Sequence, residues 1–195
     1  MPQFDLRGIK VAKYVNTAGT ITYTDAQTVG DAMNVNLELR FAEGRLYAES
    51  TLAEFMRKVV GGTISIGVKY IPTSAQKLMY GCTDKNRNVT VSTGSTVTVS
   101  GLLIGGADVP KYVGVAFYAP DMVDGVEKFC CVKVAKALFG QPSLALQTAG
   151  ENITFATPTT SGEFLADDST TKALLEVATC DTEAAAKAWV TTVLA

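Results

Sequence analysis

The sequence predicts a mainly β domain with a short central helix and a helix at its C-terminal end. Three observations carry this. Thr and Val, both β-branched and suited to a pleated surface, number 24 and 21 among 195 residues. Seventeen glycines supply turns between short apolar stretches. Met33 to Phe41 alternates over a full strand length, with Val35, Leu37, Leu39 and Phe41 on one face and Asn34, Asn36, Glu38 and Arg40 on the other. The length suits one domain, 1–195, and no linker or low-complexity tract divides it.

The elements follow in order. Gly8 to Val15 reads as a strand, and Thr20 to Tyr23 as a second after the turn Asn16-Thr17-Ala18-Gly19. After Met33–Phe41, a two-residue turn at Glu43-Gly44 returns the chain into Arg45–Glu49. That register pairs Phe41 with Leu46 and Leu39 with Ala48, and sets Glu38 opposite Glu49. Thr51 to Val60 fits helical spacing through Leu52, Phe55, Met56 and Val59, and fits a strand as well. Thr63 to Ile71 is a strand. Pro72 then opens a short helix with Ala75, Leu78 and Met79 on one face, ended by Gly81. Two Val/Thr runs around Gly94 form a hairpin. Lys111–Ala119 and Val126–Leu138 are strands whose mixed pattern fits cover on both faces. Gln141 to Ala149 is a loop or an edge strand. Asn152 to Ala166 is a strand pattern interrupted by Pro158, and Leu174 to Cys180 is another strand. Asp181 as N-cap and Glu183 in the first turn start the last helix, in which Ala185, Ala188, Trp189 and Thr192 share a face.

Composition narrows the chemistry. There is no histidine, which excludes Ser-His-Asp and Cys-His catalysis and every His-ligated metal. Cysteines 82, 130, 131 and 180 lack C-x-x-C spacing and read as reduced thiols acting as small apolar residues. No phosphate-binding glycine loop, calcium loop or nucleophile elbow appears, and Asp167-Asp168 and Asp121/Asp124 sit in turn-like contexts. No catalytic residue, metal or cofactor is therefore expected. The start of the chain lacks the pattern of a signal peptide, and no apolar run reaches membrane-spanning length, so a cytoplasmic origin and no membrane partner are expected. The net charge of −2 divides unevenly. Residues 150–195 hold seven acids and two lysines, a net of −5, whereas residues 1–149 hold twelve acids and fifteen bases, a net of +3. Such a division suits head-to-tail self-association.

Four stretches stand out together: Gly8-Ile9-Lys10-Val11-Ala12-Lys13-Tyr14; Val60-Gly61-Gly62-Thr63-Ile64-Ser65-Ile66-Gly67-Val68 with Ile71-Pro72; Gly150 to Phe164, containing Gly-Glu-Asn-Ile-Thr-Phe-Ala-Thr-Pro-Thr; and a strand running into Asp181 to Trp189. In this order and spacing the chain resembles the major tail proteins, the tail tube subunits, of long-tailed non-contractile bacteriophages. One departure is segment 137–147, which is less acidic than the family's usual pattern. The resemblance implies a tail-tube-type β-sandwich or open barrel. It implies hexameric rings stacked into a tube around a tape-measure protein, joined to tail terminator and distal tail proteins in the virion tail after assembly in the host cytoplasm. DNA passes through the lumen without specific binding.

On that reading the hairpin 33–50 carries the candidate sites. Leu37, Leu39, Phe41, Glu43, Arg45 and Leu46 are expected at a subunit interface, and Asn34, Asn36, Glu38, Arg40, Tyr47 and Glu49 at the lumen. Ala185, Ala188, Trp189 and Val193 are expected to dock the last helix. The alternative is a monomeric β-sandwich binding or decoration module that uses exposed aromatics such as Tyr112 and Tyr118.

Overall fold

The structure, a computed structural model, describes residues 5–48, 50–92, 94–142 and 157–195. The first four strands are β1 (Arg7–Thr17), β2 (Thr20–Thr28), β3 (Ala32–Ala48) and β4 (Thr51–Val68). Helix α1 (Thr73–Tyr80) follows, then β5 (Thr83–Asp84), β6 (Arg87–Thr90), β7 (Thr96–Val99) and β8 (Leu102–Leu103). The second half holds β9 (Val113–Val123), β10 (Val126–Phe139), β11 (Thr159–Leu165), β12 (Leu175–Cys180) and α2 (Glu183–Thr192). The protein is mainly β, as its composition indicates. The sequence segments 143–149 and 150–156, including most of the Gly-Glu-Asn-Ile stretch, lie outside the described residues.

One antiparallel eight-stranded sheet organises the chain, in the order β2-β1-β9-β10-β11-β4-β3, with β12 also on β10. Strand β10 is the branch point. One edge pairs with β9 from Val126 to Ala137. The other edge pairs first with β12 (Phe129–Val134) and then with β11 (Lys136–Phe139). A register shift between Val134 and Ala137 lies where the partners change. The sheet curls, because Ile64, Ile66 and Val68 of β4 share a core with Ile9 and Val11 of β1, although three strands lie between them in sheet order.

Two cores result, one on each face of β1, β9 and β10. The first gathers Val113, Val115 and Phe117 of β9 with Phe139, Phe164 and the residues of β1 and β4, and α1 adds Ala75, Met79 and Tyr80. The second gathers Ala12, Tyr23, Ala116, Tyr118, Phe129 and Cys131 beneath α2. Nine consecutive residues of β9, Val113 to Asp121, are buried, which explains why its pattern does not alternate. Gly114 allows this packing. A Cβ there would lie 2.4 Å from the Tyr23 ring and 3.0 Å from Leu194.

Local signals account for most boundaries. Ala18 and Gly19 take positive φ (51° and 89°) in the β1–β2 turn, as Asp124 and Gly125 do (52° and 81°) in the β9–β10 turn. Pro72 precedes α1, and Gly81 ends it at φ 75°. The Val/Thr runs around Gly94 pair as the β6–β7 hairpin.

Two expectations are corrected, and one alternative left open by the sequence is resolved. The chain does not turn at Glu43-Gly44. β3 runs unbroken for 17 residues, Gly44 pairs with Met56, and the reversal lies between Ala48 and Thr51. The ambiguous segment 51–60 is strand, because as the first half of β4 it gives β3 a hydrogen-bonded partner along its whole length. The N-cap of α2 is Thr182, whose Oγ1 accepts from the Ala185 N–H at 3.2 Å, whereas Asp181 pairs with Lys128 at 3.0 Å.

The docking face of α2 is also rotated from the expected one. Ala186, Val190 and Leu194 are buried, Trp189 and Val193 flank them partly buried, and Ala185 and Ala188 are exposed. Helical spacing alone favours a face centred on Trp189, but the bulky Trp sits at the margin of the contact while the smaller Ala186, Val190 and Leu194 enter the second core. Leu194→Ala should therefore destabilise the protein by about 2–4 kcal/mol, and Ala188→Ser by no more than about 0.5 kcal/mol. Urea unfolding of the two variants measures both values.

Candidate assembly surface

Strands β3 and β4 build two adjoining surfaces. Near the body, β4 pairs with β11 only from Gly62 to Gly67. There the odd-numbered residues of β3 face inward: Val35 and Leu37 pack against the first core. Leu37, expected at a subunit interface, is thus partly buried against the chain's own core. The even-numbered Asn34, Asn36, Glu38 and Arg40 are exposed opposite Gly67, Ser65, Thr63 and Gly61.

This outer face is polar across three strands. The Asn36 amide donates to Glu38 Oε1 at 3.1 Å, Ser161 Oγ donates to Ser65 Oγ at 3.2 Å, and Arg40 pairs with Glu163 at 3.7 Å. It holds amides, hydroxyls, two carboxylates and one guanidinium. Thr63, Ser65, Ser161 and Glu163 were not singled out from the sequence. Their signal is the polar side of the Thr63–Ile71 alternation, and only the β11–β4 pairing joins it to Ser161 and Glu163.

Beyond Gly61 the pair leaves the body. Phe41–Ala48 and Thr51–Val59 pair with each other and, among the described residues, with no other strand. Eight extended residues reach about 26 Å. Gly61 and Gly62 mark the departure: a Cβ on Gly62 would lie 2.1 Å from the Glu38 carbonyl and 2.5 Å from the Phe164 ring. A bulge between Arg40 and Phe41 lies at the same place.

The two faces of this ribbon differ. On one, Arg57 lies 3.7 Å over the Phe41 ring and Arg45 lies 5.6 Å over Phe55, while Glu43 pairs with both arginines at 3.3 and 3.6 Å. The other carries Ala42, Gly44 and Leu46 opposite Lys58, Met56 and Glu54. Leu46 is 58% exposed and Met56 75%. The unbroken strand exchanges two expected positions. Leu46 falls on the face that continues Asn34–Arg40, and Tyr47 on that of Phe41, because a turn at 43–44 would have reversed the parity. Leu39, Phe41, Glu43 and Arg45 lie on the odd face, with Leu39 43% and Phe41 37% exposed. Glu49 lies outside the described residues.

The uneven charge is largely used within the chain. Glu163, Asp168, Glu176, Asp181 and Glu183 pair with Arg40, Lys136, Lys133, Lys128 and Arg7 at 3.7, 2.8, 3.7, 3.0 and 3.1 Å. Five of the seven acids of the C-terminal part thus meet cations of the N-terminal part. Asp167 is buried and accepts from the N–H groups of Ser169 and Ala173 at 3.2 and 2.9 Å, so it shapes its own loop. Tyr118, a candidate surface aromatic, is buried, and its hydroxyl donates to Glu183 at 3.0 Å. Tyr112 is half-exposed, with Lys136 4.6 Å above its ring.

Among the described residues no group of three or more His, Cys, Asp or Glu is placed to hold a metal, and no helix is long and apolar enough to cross a membrane. No known family model matches the chain, and no curated protein is significantly similar to it.

Glu183 joins β1, β9 and α2, and Lys187, Tyr118 and Arg7 together hold its carboxyl below the ordinary value of 4.5. Lys136 and Tyr14 lower Asp168 in the same way. A depressed carboxylate contributes stability above its unfolded pKa and loses it as pH falls through the folded one. The thermal midpoint should therefore drop on acidification below about pH 4.5. Glu183→Gln should lower the midpoint at neutral pH and make the acid drop shallower, as calorimetry from neutral to acid pH would read.

Proposed function

We propose that this protein is a structural subunit of a bacteriophage tail tube, forming hexameric rings that stack into the conduit for DNA ejection. The observation that carries this reading is the ribbon Phe41–Val59. A lone two-stranded ribbon is marginal in water. This one exposes Leu46, Leu52, Phe55 and Met56 instead of shielding them. A contiguous exposed apolar surface of that kind is typical of a site of contact with another chain. A mainly β fold with a curled antiparallel sheet and two helices is compatible with a tail-tube-type open sandwich, and the stretches that carry the resemblance, 8–14 and 60–72, fall in β1 and in β4 with the residues that lead up to α1.

The division of labour follows from the two surfaces. The ribbon reaches a neighbouring copy, with Leu39, Phe41, Glu43, Arg45 and Leu46 at the contact. The polar face of Asn34, Asn36, Glu38 and Arg40, extended by Thr63, Ser65, Ser161 and Glu163, lines the lumen. DNA slides best past a wall without excess Lys and Arg, since non-specific affinity comes from cations neutralising phosphates. A tape-measure protein fills the lumen before ejection, and tail terminator and distal tail proteins cap the tube in the virion.

Concentrated protein should form rings or tubes, visible by negative-stain microscopy and light scattering. Leu46→Ser with Met56→Ser should abolish them without changing the unfolding midpoint, because neither side chain belongs to a core. A wild-type protein that stays monomeric at high concentration in several salts would instead favour the decoration-module reading.

The lumen assignment has its own test. Glu38→Lys with Glu163→Lys should leave assembly intact and give tubes that retain DNA at low salt and release it as salt rises. Equal, negligible retention by wild-type and variant tubes would remove these positions from the channel wall.

A further inference from the structure

The Sγ atoms of Cys131 and Cys180 lie 3.6 Å apart across the β10–β12 pair. The register sets Phe129 opposite Cys180 and Cys131 opposite Ala178, so the two cysteines are diagonal neighbours on one sheet face. That face is the one α2 covers. Cys131 is fully buried and Cys180 half-buried, and both are thiols in this structure. Cys180 ends β12 two residues before the N-cap of α2. The pair therefore sits where the last strand hands the chain to the helix that closes the second core.

We propose that Cys131 and Cys180 are an oxidation site, converted by a small-molecule disulfide such as oxidised glutathione into an intramolecular bridge that staples the foot of α2 to β10. The more accessible Cys180 loses its proton and attacks one sulfur of the oxidant, forming a mixed disulfide and expelling one thiolate. Cys131 then loses its proton and attacks Sγ of Cys180, and the second thiolate leaves. Two electrons pass from the cysteines to the oxidant, and the two protons reappear on the released thiols. The sulfurs must approach by about 1.5 Å to reach bonding distance, and because diagonal neighbours stand farther apart than directly opposite ones, the end of β12 at Cys180 must shift toward β10 as the bond forms.

Burial sets the order and the pace. It pushes the Cys131 thiol up to about 12, so the second step is the slow one. In a reducing cell the pair stays reduced, and the bridge forms when the protein meets an oxidising medium. It closes the chain from 131 to 180, the stretch that forms the end of β10, β11 and β12, and so restrains that loop in the unfolded ensemble.

The test treats the full folded chain with oxidised glutathione at mildly alkaline pH, followed by intact mass, peptide mapping and thermal melting. The expected result is the loss of two hydrogens, a cross-linked peptide joining residues 131 and 180, and a midpoint raised by about 5–10 °C that reverts on reduction. Cys180→Ser should remove both bridge and shift, Cys131→Ala should halt at a glutathione adduct on Cys180, and Cys130→Ser should leave the bridge intact. Retention of all thiols, an unresolved adduct on wild-type Cys180, or linkage through Cys130 or between chains would overturn the proposal.

Discussion

The structure depends on a pair of neighbouring strands, β9 and β10, that are covered on both sides. Their hydrogen bonds run from Val126–Val123 to Ala137–Val113, and their side chains enter two different cores. A strand pair packed on both faces loses contact with water along its length, so its polar backbone must be satisfied by strand partners. β1 supplies one such edge, and β12 and β11 share the other. The change of partner along β10 sends β11 and β4 around the first core and leaves β12 beside α2. The first core lies inside the curl, and the second is closed by a helix.

The long β3–β4 pair is anchored to this body at one end only. Within the body its inner face is core and its outer face polar. Past Gly61 the inner face loses its core and takes up arginine–aromatic stacks, while the outer face carries Leu46 and Met56 between Lys58 and Glu54. The Arg57–Phe41 and Arg45–Phe55 stacks, with Glu43 between the two guanidiniums, partly shield one side of the ribbon. Leu46 and Met56 stand exposed on the other side, and Tyr47 and Leu52 on the stacked side, so both faces of the ribbon leave apolar surface in water.

Charge has a different place in this molecule from the one its distribution along the chain suggests. The acids of the C-terminal part and the cations of the N-terminal part meet across β10–β12, β10 and its neighbouring loop, and β1–α2. Such pairs are half-exposed and individually modest. Their collective effect is to orient residues 150–195 on the rest of the chain. The exposed face of the ribbon around Leu46 and Met56 then has Lys58 and Glu54 as polar neighbours.

By itself the sequence determined the class and most of the elements: β-branched content, turn glycines, the Pro72–Gly81 bounds of α1 and the Thr/Val hairpin are local signals, each acting within a few residues. It also determined the polar face of β3, because alternation from Asn34 to Arg40 is a property of one strand. Only the tertiary structure decided where that strand ends. Glu43-Gly44 has turn chemistry, yet the backbone hydrogen bonds offered by residues 51–60 outweigh it, and those residues are ambiguous until β3 lies beside them. The same holds for α2. Its spacing announces a helix, but whether Trp189 or Val190 points inward depends on the space left by Ala116 and Gly114 on the sheet below. Ser161 and Glu163 join the polar face for a like reason. Strand order in an antiparallel sheet is set by pairings between residues about a hundred positions apart, and no local pattern of residues encodes them.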